Sequence, residues 1–112
     1  MRKFLMLGLA LALALIATSA QAQVTTGTVK GVVLDPNGAV VAGAKVTITR
    51  KSTAESKETT SSDSGNFQFD NLQPADDYTV TVEATNFKKS EVSDVKVQSS
   101  QPTDLPISLQ TG

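Results

Sequence analysis

The sequence predicts an all-β protein: a seven-stranded, two-sheet sandwich of the transthyretin-like or immunoglobulin-like kind, behind a cleavable signal peptide. Three observations carry this. Apolar and polar residues alternate with period two in short runs from Thr28 to Leu109. Clusters of Gly, Pro, Asn, Asp and Ser punctuate those runs at the spacing of a sandwich. Beyond the first 22 positions, no long Ala/Leu/Glu/Lys stretch favours helix, and Thr, Val and Ser dominate.

The N-terminus stands apart. Arg2 and Lys3 precede an apolar run from Phe4 to Ala17, then Thr18, Ser19 and the small-x-small triplet Ala20-Gln21-Ala22. A basic start, a short apolar stretch and small residues at the end are the parts of a secretory signal peptide. The run is short for a membrane span, which takes about 20 apolar residues. Cleavage after Ala22 is expected, leaving a mature domain Gln23–Gly112; an uncleaved N-terminal anchor is the alternative. There is no cysteine, which excludes a lipoprotein anchored through a modified Cys, disulfides and thiolate metal sites. Of the ten basic residues, two lie in the signal peptide, so the mature domain carries eight against eleven acidic ones, a net charge of −3. The basic residues are scattered, so no nucleic-acid footprint is expected.

Along the mature domain, Val29, Gly31 and Val33 alternate with Thr28, Lys30 and Val32. Asp35-Pro36-Asn37-Gly38 reads as a tight turn, since Pro presets φ and Asn-Gly tolerates positive φ. Ala44, Val46 and Ile48 point inward in the next run, with Arg50 to Ser56 as a loop. Lys57 to Ser61 reads as a polar edge strand guarded by Lys57 and Glu58. Asp63-Ser64-Gly65-Asn66 is a turn capped by Asp63, followed by Phe67 and Phe69 on one face. Leu72 plugs the end of the core, and Asn71 to Asp77, around Pro74, is expected to be a loop. Tyr78, Val80, Val82 and Ala84 form the cleanest alternation, with Thr79, Thr81 and Glu83 opposite. Thr85-Asn86-Phe87 is a turn. Val92, Val95 and Val97 form a strand with an irregularity at Ser93-Asp94. The last strand, Leu105-Ile107-Leu109, follows Pro102 and contains Pro106, which confines it to an edge or a bulge.

Taken together, Gly31-x-Val33-x-Asp35-x-x-Gly38 and Val41-x-Gly43-Ala44-x-Val46 resemble the opening of the carboxypeptidase regulatory-like domain family. Asp63-x-Gly65-Asn66-Phe67-x-Phe69-x-x-Leu72, Tyr78-x-Val80-x-Val82-x-Ala84 and Asn86-Phe87 continue the match. The resemblance implies a transthyretin-like (prealbumin-like) sandwich that does no chemistry of its own. It is closest to the copies that follow the signal peptide in bacterial TonB-dependent outer-membrane receptors. Those copies end where Leu109-Gln110-Thr111-Gly112 stands here, so a free-standing copy and the front of a longer receptor are both expected possibilities. Two departures stand out. Ala75-Asp76-Asp77 replaces the family's Gly after Pro74, where positive φ is expected, and Asn86 replaces a Gly.

The inventory for catalysis is thin. General acid–base work leans on His or a tuned carboxylate, and there is no His. Ser61, Ser62 and Ser64 sit in turn-like polar sequence without a nucleophile elbow. Asp76 and Asp77, or Asp63 and Asp70, lack the spacing of a calcium loop. No catalytic residue, metal ligand or cofactor is expected. The resemblance admits glycan binding, since related sandwiches include starch- and glycan-binding modules. There is no Trp, and of the mature aromatics Phe67, Phe69 and Tyr78 fall on the inward face, so Phe87 is the candidate ligand contact. Strand addition at an edge needs no special residue, and Lys57–Ser61 and the last strand are the candidate edges. The expectation is therefore a periplasmic or secreted, non-catalytic module with an accessory or protein-interaction role. It would meet a protein or glycan partner at the cell envelope, with no membrane span after cleavage. The alternatives are a carbohydrate-binding module and the N-terminal piece of a TonB-dependent receptor.

Overall fold

The computed structural model describes residues 25–112. The signal peptide expected over Met1–Ala22 lies outside them. Among the described residues no helix is long and apolar enough to cross a membrane.

The alternating runs become strands: β1 Gly27–Leu34, β2 Lys45–Arg50, β3 Ser56–Thr60, β4 Asn66–Leu72, β5 Ala75–Glu83, β6 Ser90–Val97, β7 Thr103–Asp104 and β8 Ile107–Ser108. They form two sheets. One has β4 and β1 antiparallel, with β7 and β8 both lying parallel to β1; the other has the order β3-β2-β5-β6. The sandwich is thus as expected, with eight strands in place of seven. The last run splits because Leu105 and Pro106 separate its two halves, and Pro has no N–H to give the ladder. Leu105 N instead donates to Lys30 O at 2.8 Å, and Leu109 N to Leu34 O at 2.8 Å. Gly31 permits this approach: a Cβ there would collide with the Leu105 carbonyl and the Phe67 ring.

The core lies between the sheets. β1 and β4 supply Val29, Val33, Phe67, Phe69 and Leu72; β2 and β5 supply Val46, Ile48, Tyr78, Val80 and Val82, all buried. The Phe67 and Phe69 rings meet at 6.2 Å and 59°, a tilted pairing that suits aromatic quadrupoles. Tyr78 buries its ring and donates its hydroxyl to Gln73 O at 2.7 Å, so the polar tip is satisfied. Burial pushes that phenol above its ordinary pKa, which keeps it a donor.

Turns and bulges place the strands. The Asp35 carboxylate accepts from Asn37 N and Ala39 N, both at 2.9 Å, while Gly38 takes φ 83°. The second turn is shifted by one residue from expectation: Gly65 N donates to Ser62 O, and the Ser62 hydroxyl, not Asp63, accepts from Ser64 N and Asn66 N. The irregularity at Ser93-Asp94 is a bulge, with Val92 and Val95 set against Val80 and Tyr78 and Asp94 at φ 57°. A compensating bulge lies on β5 between Ala75 and Tyr78. The expected loop Asn71–Asp77 is therefore mostly strand, since β4 runs on to Leu72 and β5 starts at Ala75. Positive φ after Pro74 is not used; Asn71 carries it at 57°, at the bulge of β4 against β1. Asn86 takes φ 72°, as its place in the turn predicts.

Candidate functional site

A two-sheet sandwich has four edges, and each is a possible binding strip. Their state follows from which backbone groups the ladders already use. In an antiparallel pair, alternate residues bond the neighbour and the rest point away.

On β4, the bond from Val33 N to Gly65 O sets the phase, so Asn66, Gln68 and Asp70 face outward. Asn66 O accepts from Ser62 N at 2.9 Å, and Asn66 N donates to the Ser62 hydroxyl at 3.2 Å. Asp70 O accepts from Lys57 Nζ at 3.0 Å, as does Asn71 O at 3.3 Å. Only Gln68 remains open. On β6, Lys96 O accepts from the Thr103 hydroxyl at 2.6 Å, and the Asp94 bulge breaks the run. β7 and β8 are two residues each, with Pro106 between them.

β3 differs. Bonds from Ser61 N to Ala44 O and from Arg50 N to Glu55 O fix its phase against β2. Lys57 and Thr59 therefore bond β2, and Ser56, Glu58 and Thr60 turn their N–H and C=O outward. Lys57, expected to guard this edge, pairs with inward-facing Ile48 and so points toward the gap between the sheets. There it spends its charge on β4. Ser61, expected in solvated turn sequence, is buried: its hydroxyl accepts from Ala44 N at 2.8 Å and donates to Val41 O at 2.7 Å. A small hydroxyl can satisfy two backbone groups that the β2 entry leaves unpaired, and this anchors the end of β3.

Asp76 and Asp77 lie on β5 rather than in a solvated loop. Asp76 is exposed. Asp77 is half-buried, accepts from Ser52 N at 2.9 Å and stands 3.5 Å from Arg50 Nε. That last contact is an ion pair outside hydrogen-bonding geometry. Hydrogen bonding from Ser52 holds the Asp77 carboxyl below its ordinary pKa, with the Arg50 charge helping and burial opposing. No three His, Cys, Asp or Glu side chains are placed to hold a metal among the described residues.

Phe87 is half-buried, packs against the core and bridges Thr111. The open face of the sheet that contains β1 and β4 instead has a hollow of about 370 Å³ that Phe87 does not line. Lys30, Asn66, Gln68 and Asp104 surround it, over a floor of Gly31, Val32 and Phe67. Sequence reading missed this cluster, because Asp104 and Gln68 come together only through their separate registers with Lys30.

The carboxypeptidase regulatory-like domain model matches residues 28–110. The chain belongs to that family. No curated protein matches it significantly. Among solved structures, this family member is similar to hydroxyquinol 1,2-dioxygenase from Pseudomonas putida DLL-E4, with TM-score 0.62 and 11% identity over 82% of this chain and 58% of that one. It is similar to a candidate carbohydrate-binding protein from Bacteroides uniformis ATCC 8492, with TM-score 0.59 and 22% identity over 73% and 40%. It is also similar to BcpA, the major pilin subunit of Bacillus cereus, with TM-score 0.60 and 18% identity over 79% and 31%. The chain spans less than two thirds of each of these, and the likeness is one of fold.

Proposed function

We propose that this regulatory-like domain is an exported, non-catalytic module with an accessory, protein-interaction role at the cell envelope. The supporting observation is where its reactive side chains are spent. Ser61, Asp35, Asp77, Tyr78 and Lys57 each hold backbone or a neighbouring charge in place. What is left over is surface, including one unpaired strand edge. Fractionation of source cells, with N-terminal sequencing, tests the exported part. A periplasmic or secreted band of about 10 kDa, at roughly 0.11 kDa per residue, starting at Gln23 is expected. Retention in the cytoplasm with Arg2 and Lys3 intact would contradict it. A much larger outer-membrane band would instead make the domain the front module of a TonB-dependent receptor.

A second reading, carbohydrate binding, draws support from the hollow around Lys30, Asn66, Gln68 and Asp104, whose donors and acceptors suit sugar hydroxyls. Under it, affinity electrophoresis in polysaccharide gels should show retardation lost in Gln68→Ala. Loss in Phe87→Ala alone would place the contact at Phe87.

A further inference from the structure

We propose that the outer edge of β3 is a docking strand for an extended basic segment of a partner protein, which adds as a fifth strand to the β3-β2-β5-β6 sheet; this rests on the interaction reading above. The backbone groups of Ser56, Glu58 and Thr60 supply the new ladder, and a partner Lys or Arg sits beside Glu58.

Four observations lead here. First, β3 is the edge whose outward positions are unclaimed along the whole strand among the described residues. β4 is closed at both ends by Ser62 and Lys57, β6 leaves Glu91 open but is broken at Asp94 and capped at Lys96, and β7 and β8 are interrupted by Pro106. Second, the guard is already spent. A charge pointing inward from an edge strand discourages pairing because an added strand would bury it, and the Lys57 ammonium already has the Asp70 and Asn71 carbonyls to satisfy it. Third, the edge is held firmly enough to act as a template: Ser61 is buried at one end, and β2 lies in register along the whole length.

The fourth observation is charge. Glu58 shares the outer face with Lys45, which lies 3.7 Å away, and both side chains are more than half exposed. Such a pair is weak and readily exchanged for a partner's cation. The domain Gln23–Gly112 is net acidic, which favours approach of a basic segment. A second copy is the poorer occupant. Fully overlapped antiparallel pairing of two β3 strands sets Glu58 directly opposite its own counterpart, and like charges so placed repel.

The test uses the native chain purified from its source cells. The probes are two fluorescein-labelled seven-residue peptides of alternating threonine and valine, one with a central lysine and one with a central glutamate. The lysine peptide should bind, with the amides of Ser56, Glu58 and Thr60 gaining protection from hydrogen exchange. The glutamate peptide should bind roughly three- to tenfold more weakly, and Glu58→Lys should reverse the order. Glu58→Pro should abolish binding while keeping a cooperative melt, because the N–H it removes faces outward and serves no native ladder bond. Binding that survives Glu58→Pro, protection at Gln68 or Glu91 instead, or failure of the lysine peptide to bind the native chain would each overturn the proposal. A dimer lost in Glu58→Pro would replace the partner with a second copy. None of these outcomes depends on where fractionation places the domain, so docking can fail while the exported role stands.

Discussion

β3 and β4 lie side by side at the same flank of the sandwich, one from each sheet, and their edges have opposite fates. β4 offers Asn66, Gln68 and Asp70 outward, and the molecule covers the two ends with Ser62 and Lys57. β3 offers Ser56, Glu58 and Thr60, and no intramolecular bond covers them among the described residues. The charge that points inward from β3 is the one that closes β4. A single lysine thus covers its neighbour's carbonyls while the outward backbone groups of its own strand stay uncovered.

That comparison rests on register, so the largest expected effect tests register. Val82 is fully buried and pairs with Val46; Thr81 pairs with Thr47 on the other face. Val82→Asp should unfold the domain, because an unpaired buried charge costs several kcal/mol against a total stability of about 5–15 kcal/mol. Thr81→Asp should leave a cooperative melt. The reverse pattern would shift every strand of this sheet by one residue and turn Ser56, Glu58 and Thr60 away from the edge.

Next is Ser61→Ala. It strands the buried Ala44 N–H and the Val41 carbonyl, at a cost of about 1–3 kcal/mol by denaturant melts, and loosens the end of β3. Lys57→Ala should cost less, about 1 kcal/mol, since its bonds are solvent-exposed. Its more telling effect is on exchange: with the Asp70 and Asn71 carbonyls released, the end of β4 should fray and the amide of Phe69, which pairs with Val29 of β1, should exchange faster. An unchanged β4 would remove Lys57 from the account.

The smallest effect is in acid. The folded Asp77 carboxyl titrates below its ordinary value, so its contribution is present above the unfolded pKa of about 3.9 and fades as pH falls through the lower folded value. Asp77→Asn should therefore melt below the native chain at neutral pH, and the gap should close on acidification. A gap independent of pH would mean that Ser52 and Arg50 do not favour the charged form.

Much of this was legible in the residues. Val80 and Val82 against Thr79 and Thr81 announce a half-buried strand. The three-residue step from Val92 to Val95 betrays the bulge, because period two cannot accommodate it. What was hidden depends on partners distant in the chain. Lys57 reads as a solvent-facing charge until Ile48 is seen opposite it. Ser61 looks solvated because its neighbours are polar, and only the β2 entry gives it two backbone groups to satisfy. Asp76-Asp77 after Pro74 reads as loop, yet the β5 bulge absorbs them into a strand beside Arg50. The close seat of Leu105 on β1, between the two halves of the last strand, needs the space left by Gly31, seventy-odd positions earlier. Phe87 is the aromatic that falls off the inward rows of the sequence, yet it packs half-buried on the core.

Residue-resolved amide hydrogen exchange on the native chain tests the open edge most directly. Within β3, the amides of Lys57 and Thr59 should be protected, while those of Ser56, Glu58 and Thr60 exchange at nearly unfolded rates. Equal protection across all five, or protection in the opposite phase, would mean that the β3 edge is already paired or faces the other way, and the central claim would fall.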